Sequence, residues 1–115
     1  MNRSVTHNTK KDIHFKSGTF IKAGEACVIQ MVAGSNTIAH ITAYNNLSQK
    51  IGFKIKATQL HYWFSEFEQV TEEDIEKALM DGACYSIYAL GEGELEPDGS
   101  DSYGFPSKVL AAGFM

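Results

Sequence analysis

Three acids on alternate positions, Glu94, Glu96 and Asp98, followed at once by Gly99, have the opening spacing of a calcium-binding loop. Such a loop closes with a bidentate acid at its twelfth position, and here that position is Phe105. Asp101 adds an oxygen but no closing ligand, so no metal is expected. "EPDG" reads instead as a turn set by its proline and glycine, with Glu92, Glu94 and Glu96 as an exposed acidic stripe. The four histidines, His7, His14, His40 and His61, have none of the pairings with each other or with cysteine that zinc requires. Cys84 lies in the apolar, aromatic run "ACYSIYAL", where a thiol is usually inert, and the glycines are scattered at turns rather than grouped to cradle a phosphate. No catalytic residue, metal or cofactor is therefore assigned.

The charges themselves are unevenly placed. Through Lys56 there are eight basic residues and two acids; from Ala57 onward there are twelve acids and two lysines. The halves carry +6 and −10, which sum to the net charge of −4. Such a division suits a polyanion-binding face, an acidic face that imitates a polyanion, attraction between the halves, or simply two solvated faces.

These charges must be positioned by a fold, and the composition suits one. Apolar residues at 43% and charged residues at 21% are ordinary globular usage, so a packed core is expected rather than disorder. No apolar run approaches membrane-spanning length, and "MNRSVTHNTKK" lacks the apolar segment of a secretory signal. Neither membrane insertion nor export is expected. Cys27 and Cys84 are expected as free, buried thiols in a reducing compartment.

Residues 1–9 read as a flexible polar arm. From residue 10 to residue 66 short apolar runs alternate with turn residues: "DIHFK", "TFIK", "ACVIQMV", "TIAHITAY" and "KIGFKIKA". In the last of these, Ile51, Phe53 and Ile55 alternate with Lys50, Lys54 and Lys56, a strand with an apolar inside and a basic outside. "ACVIQMV" is apolar at both parities, as for a central strand covered on both faces. "TQLHYWFSEF" reads as a last strand, with Leu60, Tyr62 and Phe64 on one face, or as a hinge. The strands suit a small SH3-like antiparallel β-barrel, with an open meander packed on a helix as the rival.

Residues 67–115 form the second part, packed on the first. "VTEEDIEKALMDG" is a helix with Thr71 and Asp74 as an acidic capping box, Ile75, Ala78 and Leu79 as its apolar stripe, and Gly82 as its stop. "CYSIYAL" and "ELE" form a hairpin, and "FPSKVLAAG" a short helix with Pro106 near its first position. The class is α+β: barrel, helix, hairpin and short C-terminal helix in one domain.

Two surfaces follow. Lys22, Lys50, Lys54 and Lys56 make a basic patch on the strands, suited to nucleic acid where aromatics lie between them. Glu92, Glu94, Glu96, Asp98 and Asp101, with Tyr103 and Trp63 as aromatic anchors, make an acidic face suited to the basic groove of a nucleic-acid-handling protein. The basic strands of one copy meeting the acidic half of another would give a homodimer weakened by salt.

Residues 81–115, with "EPDG" and "GFPSKVLAAG" as their most particular pieces, resemble the tails of small accessory proteins of tailed bacteriophages and prophages. The resemblance implies expression in a bacterial host cytoplasm and no individual site residue. In that context it implies an inhibitor of a host defence protein, of the anti-CRISPR kind, acting by protein–protein contact.

Overall fold

The computed structural model describes residues 3–44, 47–91 and 93–113. Among these residues six strands come first: β1 (Val5–Asn8), β2 (Ile13–His14), β3 (Phe20–Ile21), β4 (Ala26–Met31), β5 (Ile38–Tyr44) and β6 (Lys50–Lys56). A single 3-10 turn (Ala57–Gln59) leads into α1 (Leu60–Trp63), and α2 (Glu72–Asp81) and α3 (Lys108–Ala111) follow. The class is α+β, with a four-stranded antiparallel sheet in the order β1-β4-β5-β6.

Side-chain alternation builds this sheet. In β4, Cys27, Ile29 and Met31 are buried while Ala26, Val28 and Gln30 are exposed. In β5, Ala39, Ile41 and Ala43 point inward, and in β6 the lysines point out as their spacing predicts. The register sets Ile29 beside Ile41 and Ile41 beside Phe53, so the inward rows coincide across strands. β4 is central as expected, but it is covered on one face only. Its outward side chains, Ala26, Val28 and Gln30, are small or polar enough to remain at the surface.

The ladders among the described residues leave the sheet open, with β1 and β6 at its edges, while β2 and β3 pair as a separate ribbon. Ile13 and Ile21 of the ribbon are buried in the same core as Ile29 and Ile41, and the Phe15 ring meets Phe53 edge-on at 5.1 Å. The ribbon thus covers the inner face. Residues 5–8 are not a free arm: β1 pairs along β4 from Val5↔Ile29 to Asn8↔Ala26.

"TQLHYWF" is helical. A strand and a helix both bring Leu60 and Phe64 to one side, so only the residue between them discriminates. Tyr62 is exposed while Leu60 and Phe64 are fully buried, and the Phe64 N–H donates to the Leu60 carbonyl at 3.0 Å.

The C-terminal hairpin shrinks to single bridges. Residues 84–88 pair in turn with three different neighbours: Cys84 with Leu95, Ser86 with Ser107, and Tyr88 with Phe67. No one partner runs alongside long enough to make a ladder. Ser86, Ile87 and Tyr88 are all buried, because this segment is enclosed on both sides.

One cluster of buried side chains runs through both parts. It joins Ile29, Ile41 and Phe64 to Phe67, Ile87, Tyr88 and Phe105. A satellite of Ala78, Cys84 and Val109, with Ile75 packed against it, seats α2. Leu79 is not in that seat; it is exposed, so the helix rests on a narrower stripe than its sequence suggests. The α2 capping box is formed as read, with Asp74 N–H donating to Thr71 Oγ1 and Thr71 N–H donating to Asp74 Oδ2, and Gly82 takes the left-handed conformation at φ 71°. α3 begins at Lys108, two residues past Pro106, and Ser107 caps it, its hydroxyl accepting from the Leu110 N–H.

Because α2 has so narrow a seat, its cap matters. Thr71→Ala is expected to cost about 1 kcal/mol, read as a lower urea midpoint, with α2 amides exchanging fastest. Burial works to raise the Asp74 pKa, but hydrogen bonds from the Thr71 N–H and hydroxyl, aided by Lys108, hold it below the usual carboxylate range. This contribution is present above the ordinary carboxylate pKa and is lost as pH falls through the lowered value.

Candidate functional site

The groups that resemble catalytic machinery are engaged in holding the fold. His7 Nε2 lies 2.7 Å from the Tyr88 hydroxyl, and its Nδ1 lies 3.5 Å from Glu66 Oε1. The second distance is too long for a good hydrogen bond, and among the described residues Glu66 Oε1 has no hydrogen-bond partner. This Glu66–His7–Tyr88 chain ties edge strand β1 to the enclosed segment. Burial raises the Tyr88 pKa, with Tyr103, Glu66 and Asp101 adding to it, so the phenol keeps its proton. Cys27 and Cys84 are free and buried. Burial, with the Glu25 charge adding, pushes the Cys27 thiol up to about 11, away from nucleophilic use. Among the described residues no three His, Cys, Asp or Glu side chains are grouped to hold a metal ion.

The acidic residues singled out by sequence do not form one face. Asp101 is only 8% exposed. Its Oδ2 accepts from the Ser86 hydroxyl at 2.6 Å, and its Oδ1 accepts from the N–H groups of Tyr103 and Phe105 at 2.9 and 3.0 Å. It organises the loop before α3 and is withdrawn from any partner. Tyr103 meets Tyr88 edge-on, with ring centroids 5.2 Å apart, and packs against the core. Trp63 is also packed there, with the Lys11 ammonium 4.8 Å above its ring. Neither is an open anchor. Glu92 lies outside the described residues.

Glu94, Glu96 and Asp98 are exposed. The turn that carries the last two closes through Gly99 N–H to the Glu96 carbonyl at 2.8 Å, and the Ser107 hydroxyl donates to the Pro97 carbonyl. The Cys84–Leu95 bridge brings Glu94 alongside the C-terminal half of α2. There Glu94, Asp74, Asp81, Lys77, Lys108 and Tyr85 line a cleft of about 300 Å³. The Lys108 ammonium is held by Glu68 Oε1 at 3.5 Å and Asp74 Oδ1 at 3.6 Å. Tyr85 in this cleft is 50% exposed; on α2, Met80 is 78% exposed and lines a second depression with Glu73, Glu76 and Asp81, and Leu79 is 62% exposed. The helical spacing assigns Leu79 to the buried stripe and gives Met80 no role; only the narrow seat of α2 leaves both at the surface.

On the opposite charge, Lys50, Lys54 and Lys56 are brought together on edge strand β6, whereas Lys22 lies just past β3, on the separate ribbon. Among the described residues none of the four is in an ion pair. Comparison with protein-family models, with curated proteins and with solved structures finds no match to this chain.

Proposed function

We propose that the chain is a non-enzymatic binding protein whose acidic end, α2 with the segment around Tyr85 and Glu94, docks on a basic surface of a nucleic-acid-handling protein. One observation carries this reading: exposed Tyr85 lines a cleft with Asp74, Asp81 and Glu94, and exposed Met80 lines a second depression with Glu73, Glu76 and Asp81. A face that serves solubility alone needs the carboxylates but not the apolar groups. Apolar and aromatic anchors within a charged surround are what a protein interface uses. The phage-like tail supports a host defence component as the partner, with the protein acting as an inhibitor of the anti-CRISPR type in the bacterial cytoplasm. The ribbon crossing the inner face supports describing sheet and ribbon as an SH3-like barrel open between β1 and β6.

Affinity capture from bacterial lysate, with and without nuclease, tests the proposal. A defined protein should be retained after digestion and lost with the Met80→Asp, Glu94→Lys double variant, while far-ultraviolet circular dichroism stays unchanged. Retention of the same protein by that variant would reduce the acidic end to solvated surface. A dimer that dissociates with added salt, seen by light scattering, would instead assign the two charged surfaces to each other.

A further inference from the structure

The outer face of the four-stranded sheet carries two parallel columns that neither the core nor the acidic end uses. On β5, Tyr44 and His40 point outward with Thr42 between them; Tyr44 is 59% exposed. On β6, Lys50, Lys54 and Lys56 point outward with Gly52 in the gap. The register sets Tyr44 beside Lys50 and His40 beside Lys54. Each ring of the first column therefore has a cation of the second at its side, and the two pairs are about 13 Å apart along the strands. The His40 imidazole leans over Gly52, where an added Cβ would lie 2.9 Å from Nε2, so the glycine leaves the platform flat. Beside Tyr44, the face dips into a depression lined by Val28, Thr42 and Lys50, with Glu25 the one acid in that lining.

We infer that this face binds single-stranded nucleic acid, with bases stacked on the Tyr44 and His40 column and phosphates along the Lys50, Lys54 and Lys56 column. The chemistry requires both columns. Bases offer π-faces that stack on rings irrespective of sequence, and the backbone places one negative charge per nucleotide beside them. Lys54 and Lys56 stand about 7 Å apart on one side of the strand, a reach comparable with successive phosphates of an extended single strand. A duplex offers its phosphates but keeps its bases stacked on each other, so the ring column would have no partner. Lysines on an edge strand also discourage sheet-to-sheet pairing, and that role alone would need no aromatic column at their side.

Fluorescence anisotropy with a short fluorescein-labelled oligothymidine at low salt tests the inference on the full chain. Binding is expected with a log–log salt slope of about −2, from about 0.7 per phosphate contact over three lysines. The Lys54→Glu, Lys56→Glu double variant should weaken binding at least tenfold and reduce the slope to about −0.7. Glutamates keep the edge charged, so its fold and solubility should be unaffected. Tyr44→Ala should weaken binding about tenfold without changing the slope. No binding at low salt, an unchanged slope in the lysine variant, or equal affinity for a duplex of the same length would each overturn the inference.

Discussion

Asp101→Ala is expected to lower stability by about 3 kcal/mol or more, because it leaves buried donors unpaired around a lost carboxylate. The Ser86 hydroxyl donates to Oδ2 while also accepting from the Tyr88 N–H at 2.9 Å. The Tyr103 and Phe105 N–H groups donate to Oδ1. One side chain therefore joins the enclosed segment at 86–88 to the loop that leads into α3. Urea denaturation should show a lower midpoint with an unchanged slope. Gly91→Ala should destabilise through the same carboxylate, since its Cβ would fall 2.4 Å from Oδ2 and 3.0 Å from the Tyr88 carbonyl oxygen. A loss below about 1 kcal/mol for Asp101→Ala would mean that water or the loop replaces the carboxylate. An Asp101→Asn protein with native stability that no longer captures a partner would return this residue to the interface.

The second large effect is expected at Phe105. It is fully buried, and its ring centroid lies 5.0 Å from those of both Phe67 and Tyr88. Removing the ring leaves a cavity where the sheet core meets the C-terminal part, and Phe105→Ala should cost about 3–5 kcal/mol. Phe105→Leu should cost clearly less, since it restores most of the volume. In thermal unfolding the alanine variant should melt about 10 °C or more below the parent. A single transition is expected, because one buried cluster runs from Ile29 to Phe105. Two separated transitions in the variant would show that residues 67–113 fold on their own, contrary to a shared core.

Much of the fold was legible wherever a local rule had no competitor. Lys50–Lys56 alternates cleanly, so both strand and facing were readable. Thr71, Asp74 and Gly82 announce α2 because capping is satisfied within a few residues. The sequence is ambiguous where two periodicities coincide or where partners are remote. Leu60 and Phe64 fit either a strand or a helix, and only the exposure of Tyr62 between them separates the two. Val5–Asn8 has little apolar content of its own; pairing with β4 and the His7 contact to Tyr88 make it a strand.

The candidate surfaces divide in the same way. Segregation of lysines and acids along the chain is a property of the sequence, as is the outward facing of Lys50, Lys54 and Lys56. Nothing local distinguishes Asp101 from Glu94 or Asp98, since all three lie in a polar, turn-rich stretch. Only the folded chain sends Asp101 inward to donors at 86, 103 and 105 while leaving Glu94 beside α2. Only strand register places Tyr44 beside Lys50 and His40 beside Lys54. Alternation, capping and charge order act over a few residues and can be read in line. Burial of a carboxylate and alignment of two columns depend on groups brought together from distant positions, and tertiary packing alone decides them.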